Sequence, residues 1–309
     1  MQKFYANGKL LLTGEYLVLD GAQALALPTK HGQGLVVEKR KEKGLKWESY
    51  DEYGKPWFQH NYPHFNTESE DAIVERLRLI MKAVQTLNPS FKHDNTVIST
   101  HLTFPRDWGL GTSSTLISLI SQWTNVDPYE LLQKTFGGSG YDIACATAGT
   151  PIIYQLEKKA DKIVPTYQPI SFDPSFKEQL YFVYLGKKQN SHAEIKRYKA
   201  KNKDRTQAIK SITEITQQIQ NVNTLLKFEI LLKRHERIVA KQIGLPTIHS
   251  KHFDYYWGAI KSLGAWGGDF VLATSHKSYE ETKAYFNEKG FQTFLRYEEV
   301  ILEESFLNE

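Results

Sequence analysis

A glycine turn that runs directly into an apolar helix is the feature that most constrains this chain. The segment PRDWGLGTSSTLISLISQW spans residues 105–123. Gly109 and Gly111 lack the Cβ atoms that would keep another group away from the backbone. The apolar residues that follow recur at helical spacing, and they are Leu116, Ile117, Leu119, Ile120 and Trp123. The sequence therefore predicts a helix that buries one face and holds its N-terminus rigidly.

The first turn of this helix has the chemistry of an anion site. Thr112, Ser113 and Ser114 supply hydroxyl groups and the first backbone N–H groups, which have no acceptor within the helix. A polyphosphate suits such a terminus, and a magnesium-bound nucleotide fits because Ser and Thr hydroxyls are oxygen ligands. The alternative is an ordinary Ser/Thr helix cap. No Gly-Lys-Ser/Thr sequence follows, so this is not a Walker A loop, and a phosphate-binding lysine must come from elsewhere.

Composition limits the class of protein. The chain has 309 residues, 24% charged and 40% hydrophobic, which is typical of globular proteins and argues against extended disorder. The net charge of +4 is too small to predict nucleic-acid binding, although a local basic cluster could attract an acidic metabolite. Cys145 is the single cysteine, which excludes an internal disulfide and suits a reducing compartment. With no membrane-spanning apolar run and no signal peptide, we expect a cytoplasmic protein.

Two charged residues stand out in the apolar N-terminal segment FYANGKLLLTGEYLVLD, residues 4–20. Burying Lys9 or Glu15 is costly unless the charge is paired, so such residues usually mark a site or a salt bridge. A solvent-facing lysine on an edge strand is the alternative for Lys9. Short strands are predicted over residues 22–28 and 34–38.

The next part of the chain is predicted to bring strands and helices to the glycine loop. Residues 39–66 are polar and aromatic and predict an exposed hairpin and loop, in which His60 and His64 are solvated residues rather than a metal pair. Residues 68–87 carry one apolar helical face, with Ile73, Leu77, Ile80, Met81 and Val84. Residues 96–103 alternate like a strand that leads into the loop, an order typical of α/β packing.

A second polar position follows three further glycines in the segment TFGGSGYDIACATAG, residues 135–149. Asp142 is placed on a turn and precedes small residues that permit close helix packing. An N-cap role is the alternative for this acid. Cys145 is interpreted as a packing residue, since no histidine lies near it in the sequence.

The second half of the chain is more regular. Residues 181–185 predict a strand, a basic segment follows over residues 186–205, and two helices are predicted over 207–243. Residues 253–263 predict a helix, followed by the glycine turn GAWGG, a strand at 269–274, a helix at 278–289 and a strand at 291–297. The pattern indicates an α+β lobe.

Three separated glycine segments together resemble the GHMP small-molecule kinases, and the resemblance runs through nearly the full chain. NGKLLLTGEY at 7–16 is similar to that family's first motif, PxxxGLGTSS at 105–114 to its second, and GAWGGD at 264–269 to its third. GSGYDIA at 138–144 is most similar to the phosphomevalonate kinases, with mevalonate kinases next. The resemblance implies a two-lobed α/β (α+β) fold. An N-terminal lobe at 1–165 would contain a left-handed βαβ crossover, and a C-terminal lobe at 166–309 would be ferredoxin-like.

The same resemblance implies roles for individual residues. Asp142 would accept or orient the proton of the substrate hydroxyl, Lys9 would stabilise developing phosphoryl charge, and Ser113 would coordinate Mg²⁺. ATP would be held by Gly109, Leu110, Gly111, Thr112, Ser113, Ser114, Gly264, Ala265, Gly267 and Gly268. Substrate anions would contact Lys187, Lys188 and Ser191, and Glu130 is the candidate second magnesium ligand.

The chain departs from the family pattern at three positions. Asn7 stands where the first motif usually has proline, Thr112 replaces a serine, and Trp266 replaces a glycine where it could crowd the phosphates. The leading hypothesis is an ATP- and Mg²⁺-dependent kinase for phosphomevalonate or mevalonate. A kinase for a sugar or homoserine, a diphosphomevalonate decarboxylase and a non-catalytic nucleotide sensor are the alternatives. Oligomeric state stays open between monomer and homodimer.

Overall fold

The computed structural model describes residues 1–62, 68–93, 95–160, 162–187, 191–201, 203–267 and 269–303, with the backbone alone at 191 and 192. The chain is mixed α/β, as predicted from the sequence. It forms two compact units. Unit 1 consists of Met1–Gly8, His31–Arg106 and Leu110–Thr147, and unit 2 of Lys9–Lys30, Asp107–Gly109 and Ala148–Glu309. The lobe boundary after residue 165 stays a prediction.

Unit 1 is built on a mixed sheet. Its strands are β1 (Gln2–Thr13), β2 (Ala24–Lys39), β3 (Leu45–Tyr50), β4 (Pro56–Tyr62) and β5 (Thr96–Leu102), of which β1 and β2 contribute residues to both units. The order is β4–β3–β5–β2, and β1 pairs with β2. Strands β3 and β5 are parallel, with Trp47 opposite Ile98, while the β2–β5 and β3–β4 pairs are antiparallel. The hand of the crossover that joins the parallel pair stays a prediction.

The helices of unit 1 bury apolar faces in a single core. They are α1 (Ala72–Leu87), α2 (Thr112–Thr124), α3 (Pro128–Thr135) and α4 (Tyr141–Thr147). The carboxylate of Asp71 caps α1 by accepting hydrogen bonds from the N–H groups of Ile73 at 2.8 Å and Val74 at 3.0 Å. In the helix that begins at this cap, Val74 is buried in the core and Ile73 is 37% exposed. The prediction that Ile73 lies on the buried face was therefore wrong.

Unit 2 contains a hairpin and a second sheet. The hairpin is β6 (Ile152–Lys159) with β7 (Lys162–Pro169), and β6 pairs with the first residues of β2. The second sheet consists of β8 (Leu180–Tyr184), β9 (Ile260–Leu263), β10 (Phe270–Thr274) and β11 (Phe294–Arg296). Its order is β11–β8–β10–β9, with every neighbouring pair antiparallel.

Helices connect the strands of this second sheet in a ferredoxin-like order. Between β8 and β9 lie α5 (Ser191–Ala200), α6 (Thr206–Gln220), α7 (Leu225–Ile243) and α8 (Ile248–His252). Helix α9 (Tyr279–Glu288) joins β10 to β11, and α10 (Tyr297–Val300) follows. The βαββαβ order confirms the ferredoxin-like lobe predicted from the resemblance. Within the described ranges, no helix has the length and apolar composition needed to span a bilayer.

Three sequence-based predictions of secondary structure were wrong. The two short strands predicted over residues 22–28 and 34–38 are parts of the one long strand β2, which begins only at Ala24, and the β6–β7 hairpin was not predicted at all. Residues 253–263 are not a helix, because the chain turns after α8 and enters β9. At Gly258 the backbone passes so close to β10 that a Cβ atom would lie 2.0 Å from the carbonyl oxygen of Thr274. The aromatic residues that imitate helical spacing there pack in the core, with Phe253 and Tyr256 against Phe286.

The β3–β4 hairpin confirms one prediction and corrects another. The hairpin forms as expected, and Tyr53 at its tip is 87% exposed. Trp47, however, is 1% exposed, and its indole N–H donates to Ser49 Oγ at 3.2 Å. One face of this hairpin is therefore part of the core of unit 1.

We expect the two aromatic residues of this hairpin to differ sharply in their contribution to stability. Trp47→Ala removes a fully buried ring and should lower the free energy of unfolding by about 3–5 kcal/mol. Tyr53→Ala, the matched control on the exposed tip, should change it by less than about 0.5 kcal/mol. Urea-induced unfolding of both variants measures the difference, and equal effects would contradict the placement of Trp47 in the core.

Candidate functional site

The glycine loop ends in a helix N-terminus with left-handed glycines on its approach. Gly109 has φ 68°, and Gly111, the N-cap of α2, has φ 100°. The N–H of Thr115 donates to the carbonyl of Gly111 at 2.9 Å, so the N–H groups of the three preceding residues have no acceptor within the helix. Thr115 Oγ1 also donates to Gln33 Oε1 at 2.7 Å, which ties this turn to β2. The Thr115 contacts fix the backbone of the turn, and the N–H groups of residues 112–114 stay available to an anion.

The three hydroxyl groups of this turn have different environments. Ser114 Oγ donates to the carbonyl of Gly111 at 2.9 Å and is used within the loop. Ser113 is exposed. Thr112 Oγ1 is buried and has no hydrogen-bond partner among the described residues. A buried hydroxyl without a partner fits a phosphate oxygen as its missing acceptor, and the exposed Ser113 hydroxyl fits a metal ion bound together with that phosphate.

Residues from all three glycine motifs meet within unit 2. Lys9 Nζ, from the first motif, donates to the carbonyl of Gly109 in the second motif at 3.0 Å. Asp269, which ends the third motif, is 6% exposed. Its carboxylate occupies the space beside Gly109, where a Cβ atom would lie 2.4 Å from Asp269 Cγ. A Cβ atom on Gly264 would lie 3.3 Å from Asp269 Oδ2. A lysine from β1 thus lies beside Gly109, although the glycine loop itself contains no lysine.

The third glycine segment, which begins at Gly264, has two left-handed glycines and a buried Trp266. Gly264 and Gly267 have φ 75° and φ 82°, and Ala265 is buried. Trp266 is 5% exposed, and its indole N–H donates to the carbonyl of Pro246 at 2.9 Å. The indole is therefore packed within unit 2 rather than free on the loop surface. Gly268, a predicted nucleotide contact, lies outside the described residues.

Asp142 lies in the first turn of α4, within unit 1. Its Oδ1 accepts a hydrogen bond from the N–H of Ile143 at 3.1 Å, and its side chain is partly exposed. Helix α4 packs against α2, the helix that follows the phosphate loop. Ile143 and Ala146 join the core of unit 1, and Cys145 is buried, as a packing residue should be. The helix begins one residue before Asp142, so the acid is not its N-cap.

The remaining predicted contacts are less defined. Lys187 is exposed after β8, Lys188 lies outside the described residues, and Ser191 begins α5 with its side chain not described. Glu130 is exposed in the first turn of α3, where its N–H donates to Asp127 Oδ1 at 2.8 Å. Among the residues that the structure describes, no three His, Cys, Asp or Glu side chains come together as a metal site. The ring of His60 lies edge-on to that of Tyr62, with 4.5 Å between the centroids, and His64 lies outside the described residues.

Comparison with known proteins places this geometry in context. No protein-family profile and no curated protein sequence matches the chain. Solved structures do match. A phosphomevalonate kinase from Streptococcus pneumoniae, solved with phosphomevalonate and AMPPNP, is 16% identical, with 96% of this chain and 100% of that chain covered at a TM-score of 0.68. A mevalonate kinase from Methanococcus jannaschii is 14% identical, with 98% of each chain covered at a TM-score of 0.67.

A sugar kinase matches equally well. The galactokinase from Lactococcus lactis, solved with galactose, is 13% identical, with 97% of this chain and 93% of that chain covered at a TM-score of 0.67. The chain has the GHMP kinase fold. At these identities the likeness establishes the fold alone, and it does not distinguish an acidic acceptor from a sugar.

A buried group of charges within this GHMP kinase fold was not predicted. Glu15 of the first motif pairs with Lys261, which also lies 3.4 Å from Glu236, and all three side chains are at most 3% exposed. His235 Nε2 accepts a hydrogen bond from the N–H of Gly14 at 2.9 Å. Since that nitrogen accepts, it carries no proton, and its 3.2 Å contact with Glu15 is not an ion pair. Only the charge of Glu15 could be recognised from the sequence, because its partners lie more than 200 residues away.

Burial determines the protonation of this group. It lowers the pKa of His235 well below its usual range and keeps the imidazole neutral. Burial also raises the pKa of Glu15, against the opposing effect of Lys261, and raises the pKa of Glu236 to about 8. Glu236 is therefore protonated at neutral pH, and the group consists of one ion pair with two neutral neighbours.

The glycine loop should be sensitive to a methyl group at position 109. Gly109→Ala places a Cβ atom against the carboxylate of Asp269 and also strains a left-handed residue. Gly54→Ala is the matched control, because Gly54 has φ 74° and no atom within 4 Å of its Cβ position. We expect the control to lose about 1 kcal/mol of stability from strain and Gly109→Ala to lose about 1–3 kcal/mol more. Chemical denaturation compares them, and equal losses would contradict the close packing of Asp269.

The pKa of Glu236 predicts a pH dependence of stability. The folded protein holds a proton on Glu236 up to about pH 8, whereas in the unfolded chain the carboxyl has its ordinary pKa of 4.5. Stability should therefore fall by up to about 1.4 kcal/mol per pH unit between pH 6.5 and 8. Below about pH 7.5 part of this slope is offset, because His235 is still partly protonated in the unfolded chain but neutral in the folded protein.

Glu236→Gln removes this titration, so its stability relative to the wild-type protein should increase across that window. Glu288→Gln, on an exposed side chain, is the matched control and should keep the wild-type slope. Urea-induced unfolding at pH 6.5, 7.25 and 8 measures both variants. Parallel curves for wild type and Glu236→Gln would show that Glu236 is already ionised.

Proposed function

We propose that this protein transfers a phosphoryl group from ATP to a small acidic metabolite, phosphomevalonate or mevalonate. The observation that carries the proposal is that Gly109 and Gly264 both lie against the buried Asp269, while Lys9 donates to the carbonyl of Gly109. An ordinary helix cap on α2 requires no such arrangement. A lysine beside a loop with unpaired helix N–H groups, by contrast, is what a polyphosphate needs.

The chain's own residues divide the chemistry between them. An oxygen of the acceptor, a hydroxyl in mevalonate or a phosphate oxygen in phosphomevalonate, forms a bond to the γ-phosphorus, and the bond to the ADP oxygen breaks. Any proton that the acceptor oxygen carries passes to Asp142. Lys9 stabilises the charge that develops on the transferred group. The N-terminus of α2 binds the phosphates through N–H groups and the Thr112 hydroxyl. Phosphoryl transfer depends on positioning and electrostatic stabilisation, which these groups can supply.

Magnesium is proposed as the metal cofactor. Ser113 offers an exposed hydroxyl at the helix terminus, and the other ligands would be phosphate oxygens and water, as Mg²⁺ prefers. When bound, the ion neutralises charge on the phosphates. Glu130 stays a candidate second ligand.

An acidic acceptor is favoured by the basic residues after β8. Lys187 and the cationic residues of α5 outnumber acids in this stretch, which suits a carboxylate or phosphate on the acceptor. The phosphomevalonate kinase of similar fold, solved with phosphomevalonate and AMPPNP, supports the same acceptor class. A sugar acceptor is the second candidate, because the galactokinase matches with a comparable TM-score. We further propose a cytoplasmic location, on the basis of the lone Cys145.

The proposal predicts ADP release with Mg²⁺ and ATP on one acid of a panel containing mevalonate, phosphomevalonate, diphosphomevalonate, homoserine and galactose. Asp142→Asn should lower kcat by at least about 100-fold because it removes the base. Lys9→Met should lower it by about 100- to 1,000-fold because it removes charge stabilisation.

Matched controls are available for both substitutions. Asp254→Asn and Lys210→Met change exposed side chains and should keep kcat within about two-fold of wild type. Full activity in Asp142→Asn or Lys9→Met would refute the assigned roles. Turnover on galactose alone would replace the acidic acceptor, and nucleotide binding without any turnover would favour a sensor.

A further inference from the structure

The third glycine segment is fixed by backbone hydrogen bonds that do not involve a ligand. The N–H of Trp266 donates to the hydroxyl oxygen of Tyr16 at 2.9 Å, and the N–H of Gly267 donates to Ser262 Oγ at 3.2 Å. The indole N–H of Trp266 also donates to the carbonyl of Pro246. The turn is therefore restrained through both the backbone and the side chain of Trp266. The Tyr16 contact is notable because Tyr16 is the last residue of the first motif.

Tyr16 has an unusual backbone conformation. Its φ of 61° and ψ of −46° are rarely adopted by a bulky residue, and such conformations persist only where the surroundings impose them. The side chain is 8% exposed. Burial raises the pKa of its hydroxyl above the ordinary value, so the group stays protonated while its oxygen accepts the Trp266 N–H.

Helix α5 and its neighbours hold the ring of Tyr16 in place. The ring of Tyr198 lies 5.4 Å from it, centroid to centroid. Tyr198 is itself fixed, because its hydroxyl donates to Asp20 Oδ2 at 2.5 Å and the guanidinium of Arg205 lies 4.1 Å from its ring. Arg205 also lies 3.5 Å from Asp20. The hydroxyl of Tyr16 therefore has a defined position from which to orient the Trp266 peptide.

We propose that Tyr16 is a positioning residue for the nucleotide, whose hydroxyl sets the orientation of the third glycine segment. The inference rests on the proposed function. Without the hydroxyl, the buried N–H of Trp266 loses its acceptor, and the segment can relieve this only by changing conformation. That change would alter the path of the chain from Gly264 to Asp269, whose carboxylate lies against Gly109, the residue to which Lys9 donates.

The test compares the loss of one buried phenol hydroxyl at two positions in unit 2. Tyr16→Phe removes the acceptor for Trp266 N–H and keeps the ring. Tyr256→Phe, the matched control, removes a hydroxyl that donates to the carbonyl of Thr274 at 2.8 Å, on a side chain 5% exposed. Calorimetric titration with MgADP and steady-state kinetics are measured for both, with melting temperatures alongside.

We expect Tyr16→Phe to bind MgADP about 5- to 20-fold more weakly and to raise KM for ATP by a similar factor. Its kcat and its KM for the acceptor should stay within about two-fold of wild type, as should all constants of Tyr256→Phe. Similar melting temperatures of the two variants would show that the effect is not a general loss of stability.

A second variant keeps the test decisive if Tyr16→Phe does not fold. Trp266→Phe retains the bond to Tyr16 but loses the bond to Pro246, so it should also weaken MgADP binding by several-fold. Unchanged nucleotide affinity in Tyr16→Phe, or equal weakening in Tyr256→Phe, would overturn the inference and leave the proposed function intact. A wild-type protein that binds no nucleotide and transfers no phosphoryl group would instead overturn the proposed function, and the inference with it.

Discussion

The close approach of the Asp269 carboxylate to two glycines is the constraint on which the candidate site depends. A buried carboxylate needs compact neighbours, and any side chain at position 109 would occupy its space. The glycine loop thereby acquires a fixed backbone path, and the carbonyl of Gly109 lies where Lys9 can donate to it. Chain flexibility thus accounts for only part of the glycine content of these motifs. At position 109 the absence of a side chain is a packing requirement.

Beneath this arrangement, the ion pair between Glu15 and Lys261 links the first motif to the strand that leads into the third. Such a pair in the protein interior does not by itself add much stability, because desolvation offsets its attraction. It does penalise any displacement of either partner. With neutral His235 bound to the Gly14 N–H and protonated Glu236 near the lysine, the turn that contains Gly14 and Glu15 is held in one arrangement.

The sequence predicted the parts of the fold that depend on local pattern. Helices α1, α6, α7 and α9 and strands β5, β8 and β10 follow from periodicity and turn residues, and the ferredoxin-like order followed from the family resemblance. The errors have a common cause. At 253–263, aromatic residues that pack against Phe286 imitate helical spacing, and the exclusion of a helix depends on a contact with Thr274 that no local pattern contains. The burial of Trp47 likewise depends on the strand opposite it.

The candidate site was predictable in its motif residues but not in their partners. Lys9, Gly109 and Gly264 could be named from the glycine segments, whereas Lys261, His235 and Tyr198 lie in segments without a recognisable motif. Trp266 was expected to crowd the phosphates. Its hydrogen bond to the carbonyl of Pro246 could not be predicted from the sequence, because twenty residues separate the two. The sequence identified Asp269 only as the last residue of the third motif. Its packing against Gly109 and Gly264 could not be predicted from the sequence.

The buried hydroxyl of Thr112, which has no hydrogen-bond partner among the described residues, would affect both the stability of the protein and its affinity for a phosphate. A buried hydroxyl without a hydrogen-bond partner costs the folded chain about 1–3 kcal/mol. An incoming phosphate oxygen that accepts this proton would recover that free energy at the moment of binding. The unliganded protein would then be less stable than one in which this hydroxyl had a partner, and part of any affinity for a phosphate would come from removing a cost already present in the free state. At this one oxygen atom, a lower stability of the free protein would accompany a higher affinity for the ligand.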